Sequence, residues 1–290
     1  MKRKYKKLKI ALIAIIAMVL VLAVVIAVGN TTVTVTRYEV ESEKLPAEFS
    51  GYKIALITDL HSAEFGKGNC RLISKLCEQE PDVVLLGGDM INSNDTDMSV
   101  FYNLCEQLVK KYPTYYIFGN HELIKGEEFC EELEKALSGM GVFCINNGSV
   151  ELEKGGSKIT LSGLWFNLRY YQSAKAEEQY NFGVANAETL LGKSGEEFNI
   201  LLTHNPHYFE TYSEWGADLT LCGHMHGGMI RLPFVGGVFS PEKDLFPEYD
   251  EGVFENNGNK MIVSRGLGNG QVGFRVFNTP EIVIVELKTK

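Results

Sequence analysis

The chain alternates apolar runs with polar clusters, and the first apolar run is the longest. Residues 10–28, IALIAIIAMVLVLAVVIAV, are nineteen consecutive apolar residues without a charge. At about 1.5 Å per residue, a helix over this run nearly crosses a hydrocarbon layer about 30 Å thick. Residues 1–9 carry six Lys or Arg and no acid. Because positive flanks stay in the cytoplasm, we expect a basic cytoplasmic flank, a single transmembrane span, and the rest of the chain outside the cytoplasm.

The end of the apolar run leaves open whether the segment is retained or cleaved. Ala27-Val28-Gly29 has small residues at a spacing that a signal peptidase accepts. The run is nevertheless longer than the roughly 7–15 apolar residues of a typical signal peptide. We therefore favour a retained signal anchor over residues 10–28, which would hold the protein at the cell membrane.

Beyond residue 30, short β-branched runs end in polar clusters, and several are followed by helix-compatible segments. Runs bounded by Gly, Asp and Asn are typical of strands buried on both faces. Strands are predicted within 31–40, 52–61, 82–90, 114–122, 198–206, 218–228, 261–268 and 281–287, and helices within 69–80, 97–111 and 127–139. Residues 142–166 read as consecutive strands joined by Gly and Asn turns, so the sheet should be mixed. The alternation indicates an α/β fold.

The pattern also suggests how the chain is divided. Residues 29–50 hold an N-terminal strand and a Pro/Gly-containing connection, and residues 51–290 form the main domain. Within that domain, residues 167–187 are polar with scattered tyrosines. We expect this segment to form an excursion over the functional site.

The charge of the chain limits its partners. The net charge is −9, and it is about −15 when the six cations of residues 1–9 are left out. A body this acidic repels a polyanionic backbone, so nucleic acid is not expected as a partner.

Residue types that bind metals gather where the predicted strands end. Five of the six histidines lie there, beside acids or glycines. The clustered residues are Asp59, His61, Asp89, Asn120, His121, His204, His224 and His226. Chemistry in α/β sheets collects at the carboxyl ends of strands, so these side chains should lie together. Imidazole, carboxylate and amide donors suit Mn, Zn or Fe, and the number of donors indicates two divalent ions rather than one.

Five motifs carry a resemblance to a known family. In chain order they are DLH (59–61), GGDM (87–90), GNHE (119–122), THNP (203–206) and GHMH (223–226). This set resembles the calcineurin-like metallophosphoesterases, which implies a four-layer α/β/β/α sandwich with a mixed central β-sandwich. HGGMIRLP, VSRGLG and FRVFNTPEIVIVEL, between residues 226 and 287, resemble the membrane-associated bacterial YkuE-like branch. The resemblance covers nearly all of residues 33–288.

The resemblance also implies roles for individual residues. It implies Asp59, His61 and His226 on the first ion, Asn120, His204 and His224 on the second ion, and Asp89 bridging both. The ions would lower the pKa of a bridging water, so that hydroxide attacks phosphorus in line. The catalytic residue would be His121, which would stabilise developing charge or protonate the leaving oxygen.

The expected function is therefore phosphoester hydrolysis at a dinuclear metal site. A phosphodiester, a pyrophosphate-linked lipid and a simple monoester all remain open as substrates, and the anchor favours a lipid or cell-envelope phosphoester. The alternatives are a nuclease or nucleotide phosphodiesterase of the same superfamily, which the acidic charge disfavours, and a non-catalytic metal-binding scaffold. The complete ligand set argues against the scaffold.

The sequence is less specific about the roles of several neighbouring residues. His207 stands where relatives often carry an acid, and it has either a supporting or exposed role or a substrate contact. Arg231, Arg265 and Arg275 either bind substrate phosphate through forked hydrogen bonds or form structural ion pairs. Glu122 is expected to orient a neighbouring ligand. Two aromatic residues at 165 and 166 line the pocket or, as is commoner, belong to the core.

Overall fold

The computed structural model describes residues 2–172, 180–270 and 273–290. It begins with a long helix, α1, over Lys2–Thr31. The segment Arg3–Thr31 is long and apolar enough to cross a membrane, and its most apolar window is not buried against the rest of the chain. A membrane span and a signal sequence both fit these properties.

The remaining described elements are fourteen strands and six α-helices. The strands are β1 (Thr34–Ser42), β2 (Lys53–Ile57), β3 (Val83–Leu86), β4 (Thr114–Tyr116), β5 (Phe143–Cys144), β6 (Gly148–Lys154), β7 (Ser157–Leu164), β8 (Asn199–Thr203), β9 (Leu219–Cys222), β10 (Arg231–Leu232), β11 (Gly236–Gly237), β12 (Gly252–Asn256), β13 (Asn259–Val263) and β14 (Glu281–Thr289). The helices are α2 (Cys70–Cys77), α3 (Ser99–Leu108), α4 (Asn120–Ile124), α5 (Glu127–Met140), α6 (Val184–Leu191) and α7 (Phe209–Trp215). Short 3₁₀ turns lie at Ala47–Phe49, Lys67–Asn69, Leu168–Tyr170 and His226–Gly228.

Two six-stranded mixed sheets form the centre of the molecule. The first sheet has the order β1-β14-β2-β3-β4-β5, and the second has the order β12-β13-β9-β8-β7-β6. In the first sheet β2, β3, β4 and β5 are parallel, and β14 runs antiparallel to β2. In the second sheet β7, β8, β9 and β13 are parallel. The parallel strands of each sheet therefore bring their carboxyl ends to a common edge.

The packing follows from the alternation of side chains along each strand. In β2, Ile54 and Leu56 belong to a core shared by the two sheets, where they meet Leu202 of the second sheet. The alternate residues Ala55 and Ile57 belong to a separate core with α2, α3 and α5. On the outer face of the second sheet, a third core contains residues of α6 and α7.

Helices thus cover both outer faces of two packed sheets, and the predicted four-layer α/β/β/α sandwich is confirmed. The central strands are buried on both faces, as their β-branched runs predict. Residues 142–166 form three consecutive strands, β5 to β7. The predicted excursion falls partly on residues 173–179, which lie outside the described residues. Its described parts contain the turn Leu168–Tyr170 and the start of α6.

Candidate metal centre

The predicted site residues lie at the carboxyl ends of parallel strands from both sheets. Asp59 and His61 follow β2, Asp89 follows β3, Asn120 and His121 open α4 just after β4, His204 follows β8, and His224 and His226 follow β9. Hydrogen bonds join the two sheets at this edge. His204 Nδ1 lies 2.7 Å from the carbonyl oxygen of Gly87, and the backbone N–H of His224 donates to Asp59 Oδ1 at 3.1 Å.

The side chains gather into two groups with Asp89 between them. Asp59, His61 and His226 form one possible cation site, and Asp89, His204 and His224 form another, with donor atoms in each group within 4.8 Å of one another. Asp89 Oδ2 lies 3.8 Å from His61 Nε2 and 3.2 Å from His204 Nε2. One carboxylate thus reaches both groups, which is the position that a bridging ligand needs.

In His204 and His61, a hydrogen bond at Nδ1 leaves Nε2 facing the candidate cation sites. A carbonyl oxygen only accepts, so His204 Nδ1 carries the proton it donates to Gly87, and Nε2, which faces Asp89, is the nitrogen that a cation or a second proton can occupy. His61 Nδ1 lies 3.1 Å from Asn92 Oδ1, which likewise turns Nε2 of His61 towards the site, where it lies 3.1 Å from His226 Nε2. These partners fix ring orientation and tautomer, as expected of metal-binding histidines.

One buried oxygen supports the fit of a metal to this site. Asn120 Oδ1 is buried and has no hydrogen-bond partner among the described residues. An unsatisfied buried polar atom is costly. Coordination to a divalent ion would satisfy this oxygen, and the imidazole, carboxylate and amide ligands suit Mn, Fe or Zn.

The backbone at the site is strained. Asp59, His61, Asp89, His224 and His226 all have φ between 46° and 72°. Residues other than glycine rarely adopt this left-handed region, and such strain concentrates at functional sites. Gly223 completes the packing, because a Cβ there would lie 2.3 Å from Asp59 Oδ2.

Burial and charge set the protonation of these groups. Burial lowers the pKa of His61 to about 4. Burial would also lower the pKa of His204, but the negative charges of Asp89 and Asp59 raise it to about 10. Burial disfavours ionisation of Asp89, yet the neighbouring histidines, His204 first, hold its pKa well below the usual value. Since a metal binds neutral imidazole, a cation would replace the proton on His204.

Glu122 supports the two loops that carry the ligands. Its carboxylate accepts the backbone N–H groups of Asp89 at 2.9 Å, Met90 at 2.7 Å and Gly119 at 2.8 Å. Burial, followed by the charge of Asp89, raises the pKa of Glu122 to about 7. The contacts agree with the predicted orienting role of this residue.

Replacing Glu122 with alanine should leave these three buried N–H groups without an acceptor. At about 1–3 kcal/mol for each unsatisfied group, we expect a loss of about 3 kcal/mol or more in the free energy of unfolding. Urea denaturation of the full chain in detergent would measure the change. Glu128→Ala, at an exposed position on α5, is the control, and an equal effect of the two variants would contradict the role of Glu122.

His121 lies at the wall of the site. Its ring packs edge-on against His61, with centroids 4.6 Å apart, and its backbone N–H donates to Asp89 Oδ1 at 2.7 Å. His121 Nδ1 accepts the backbone N–H of Ser93 at 3.0 Å. Spacing alone also allows His121 to share a cation with His61 and Asp89. With Nδ1 occupied, only Nε2 remains for chemistry.

A cavity of about 480 Å³ opens onto the centre. Its lining includes Asp89, Asn120, His121, His224 and His226, together with Tyr171, Met229, Gly270 and residues 239–243. Tyr171 belongs to residues 167–187, the predicted excursion over the site, although the sequence did not single it out, and Glu242 was not predicted because it lies neither in a motif nor at the end of a predicted strand. The carboxylate of Glu242 contacts His224 Nε2, which leaves Nδ1 of that ring as the nitrogen free for a cation.

The arginines have different environments. Arg231 pairs with Asp250 and Glu251, and Arg265 pairs with Glu251 and Glu281, so these two form ion pairs. Arg275 is fully buried, and its guanidinium lies 3.3 Å from His226 Nδ1. Together with burial and His61, Arg275 holds the pKa of His226 well below its usual value, which keeps that ring neutral.

The remaining predicted neighbours lie around the centre. His207 Nε2 is 3.5 Å from Glu242 Oε1, beside His224, so it supports a residue of the site rather than standing free. Phe166 is buried among aromatic residues of the third core, and Trp165 packs against the first core. The prediction that these two aromatic residues belong to the core is confirmed.

Comparison with known proteins identifies the family. The model of the family described as calcineurin-like phosphoesterase matches residues 52–228. The chain is 27% identical over 264 residues to the uncharacterised metallophosphoesterase YkuE of Bacillus subtilis (strain 168), covering 89% of this chain and 86% of YkuE. It is 30% identical over 244 residues to the phosphodiesterase YaeI of Escherichia coli (strain K12), covering 81% of this chain and 82% of YaeI.

A solved structure of phosphopantetheinyl hydrolase (PptH) from Mycobacterium tuberculosis aligns with a TM-score of 0.48 and 13% identity, covering 76% of this chain and 91% of PptH. Likeness at that level adds nothing about the substrate. The family match and the two long alignments are decisive. The chain belongs to the calcineurin-like phosphoesterase family, in the branch that includes YkuE, and it is a metallophosphoesterase, a hydrolase of phosphoester bonds.

Proposed function

We propose that this metallophosphoesterase is anchored in the membrane by α1, has its catalytic domain outside the cytoplasm, and hydrolyses a phosphodiester by a two-metal mechanism. The ligands of the first ion would be Asp59, His61 and His226, and those of the second would be Asn120, His204 and His224. The observation that carries the proposal is the place of Asp89, whose Oδ2 lies within 3.8 Å of one histidine from each group.

Two divalent ions would supply the positive charge that lowers the pKa of a bound water and stabilises negative charge on phosphate oxygens. The chain supplies a hydrogen bond for the leaving group. Because His121 Nδ1 accepts a hydrogen bond from the backbone N–H of Ser93, the N–H of this ring is at Nε2. That N–H can donate to the oxygen of the departing alcohol and stabilise the negative charge that develops there.

Tyr171 offers a hydrogen bond to the substrate. Its hydroxyl is buried, has no partner among the described residues, and belongs to a side chain that lines the cavity. Burial and the nearby carboxylates hold the pKa of Tyr171 well above its usual value, so the hydroxyl stays protonated. A non-bridging phosphate oxygen is the acceptor that suits this donor.

The charge of the cavity favours a small ester over nucleic acid. Among the described lining residues the acids are Asp89 and Glu242, and Lys243 is the one Lys or Arg. Such a lining lacks the basic track that a polyanionic strand needs. The name of the relative YaeI, phosphodiesterase, supports a diester. The anchor supports a lipid or cell-envelope diester, because tethering keeps the site close to the bilayer.

The experiment uses the full chain in detergent, stripped of metal and reloaded with Mn or Zn. Turnover is measured on a chromogenic phosphodiester and on a chromogenic phosphomonoester, and bound metal is counted by mass spectrometry. We expect metal-dependent turnover with two ions per chain and a preference for the diester. A protein that binds no metal, or binds two ions and hydrolyses neither ester, would contradict the proposal.

His121→Ala tests the proposed hydrogen-bond donor in the same assay. Loss of a hydrogen bond to the developing negative charge should lower kcat by about 10²–10³-fold. The bound metal should remain at two ions per chain, because His121 is not a proposed ligand. The loss should shrink for esters whose leaving alcohol is acidic, such as p-nitrophenol, because these leaving groups carry negative charge with less stabilisation. A loss that does not vary with the leaving group would contradict this role.

A further inference from the structure

Exposed apolar side chains outside α1 are concentrated in one region. Of twelve large exposed hydrophobic residues in the described part of the chain beyond α1, seven lie within residues 232–246 and 274–277. They are Leu232, Phe234, Val235, Leu245, Phe246, Phe274 and Phe277. Phe234 is fully exposed, at the tip of the short hairpin formed by β10 and β11. We call these seven side chains the apolar rim. Patches of this kind mark sites of interaction.

The two segments of the rim form one continuous surface. A parallel bridge joins Ile230 to Val276, and the backbone N–H of Arg231 donates to the carbonyl oxygen of Val276 at 3.0 Å. A cleft on this surface is lined by Leu232, Phe234 and Phe277 among others.

The rim is attached to the end of α1. The backbone N–H of Arg275 donates to Asn30 Oδ1 at 3.1 Å, and Asn30 Nδ2 donates to the carbonyl oxygen of Arg275 at 3.3 Å. Asn30 comes two residues after Val28, the last residue of the apolar run, which is a rise of about 3 Å along the helix. If the apolar run of α1 lies in the bilayer, Phe274 and Phe277 must lie at the boundary between lipid and water.

The rim also borders the candidate metal centre. The chain between β11 and Phe246 supplies residues 239–243 to the wall of the cavity, which Asp89 and His121 also line. Phe246 is held to this wall by its backbone N–H, which donates to the carbonyl oxygen of Val238 at 3.0 Å. The wall of the cavity and part of the rim are therefore built from the same stretch of chain.

We infer that the apolar rim inserts into the membrane at which α1 ends, and that the cavity thereby opens onto lipid headgroups. The inference rests on the membrane anchoring proposed above, and it identifies the substrate class as a phosphodiester in the headgroup of a lipid. The occupant of the rim is the bilayer itself, because the surface is continuous with a membrane-spanning helix.

Apolar contact rather than charge would hold the rim in the bilayer. The body of the chain carries about −15 without residues 1–9, which disfavours attraction to anionic lipids. Arg231 of the hairpin is paired with Asp250 and Glu251, and residues 232–246 contain a single basic residue, Lys243. Insertion should therefore occur equally in zwitterionic membranes and at high salt.

The test places tryptophan on the rim of the full chain. Phe234→Trp, Phe277→Trp and the control Phe143→Trp are reconstituted into phosphatidylcholine vesicles with or without bromine on the acyl chains. Phe143 is 55% exposed and Phe277 is 54% exposed. Phe143 lies on β5, at the edge of the first sheet opposite β1. The unmodified chain gives the emission of the two native tryptophans, which is subtracted.

Bromine quenches tryptophan on contact, so a ring inserted about 5–10 Å into the interface should lose about half of its emission. We expect this loss of emission for Phe234→Trp and Phe277→Trp, and no loss for Phe143→Trp. A chain that is washed from the vesicles by alkaline carbonate would overturn both the anchoring and the inference. If the chain stays in the vesicles and bromine leaves the emission of Phe234→Trp and Phe277→Trp as high as that of Phe143→Trp, the inference alone is overturned.

A second measurement concerns catalysis. The double variant Phe234→Ser/Phe277→Ser should hydrolyse a diester in a vesicle lipid about tenfold more slowly than the unmodified chain, because two aromatic anchors are lost. Hydrolysis of a soluble chromogenic diester should be unchanged. An unchanged ratio of the two rates would overturn the link between the rim and the substrate.

Discussion

Replacing Asp89 with asparagine should reduce phosphodiester turnover by about a thousandfold or more, because the proposed bridge between two ions loses its charge. The fold should survive. Asn is among the few residues that tolerate the left-handed conformation found at this position, where φ is 51°. The amide oxygen can still accept the backbone N–H of His121, which donates to Asp89 Oδ1 at 2.7 Å in the native chain. The variant should bind fewer than two ions per chain.

The matched control is Asp82→Asn, the same change at the opposite end of β3. Asp82 accepts the backbone N–H of Lys53 at 2.8 Å and lies 3.5 Å from Lys154 Nζ. This partly exposed ion pair contributes little to stability, so turnover and bound metal should match the unmodified chain. Steady-state kinetics and metal analysis of both variants decide the question. Full turnover in Asp89→Asn, with two ions bound, would refute the bridging role.

Most of the fold can be predicted because the apolar runs along the chain agree with the positions of the strands in the sheets. The runs around β2, β3, β8 and β9 are short, β-branched and bounded by Gly, Asp or Asn, which predicts buried strands. Once the strands are parallel, the residues that follow them must share one edge. The convergence of Asp59, Asp89 and His204 is therefore a consequence of strand positions, although their role as ligands remains a proposal.

The order of the strands is less accessible from the sequence. Alternating strands and helices predict a parallel sheet, but they do not predict that β1 lies parallel to β14, with Thr34 opposite Glu281. That pairing joins residues almost 250 positions apart, so no local pattern encodes it. It also brings the end of α1 to Arg275, a contact on which the orientation of the rim depends.

Residues of the long loops are the hardest to predict. Glu242 reaches His224 from a segment with no periodic pattern, and Tyr171 lines the cavity next to a stretch outside the described residues. The arginines illustrate the same point. Arg231 and Arg275 have the same charge in the sequence, yet Arg231 pairs with two partly buried acids while Arg275 is fully buried beside His226. The different environments of these two arginines follow from the tertiary packing of the loops, which the sequence pattern does not show.

The substitution Gly119→Ala should disturb the packing of the site without changing any proposed ligand. The backbone of Gly119 has φ of −98° and ψ of −177°, which alanine adopts freely, so no conformational strain is added. A Cβ at this position would lie 2.2 Å from Asp89 Oδ1 and 2.3 Å from Asp89 N. Because one of these atoms belongs to the backbone, the loop after β3 must move as a unit.

A displacement of about 1 Å at a catalytic constellation can cost about a hundredfold in rate, and we expect at least this loss for Gly119→Ala. Bound metal should fall as well, because the moved carboxylate no longer reaches both groups. The control is Gly139→Ala in α5, where a Cβ meets nothing within 4 Å and should leave activity unchanged. The two variants make the same chemical change, so a difference between them measures the geometry around Asp89. Equal activity and metal content in both would mean that the position of this carboxylate does not limit catalysis.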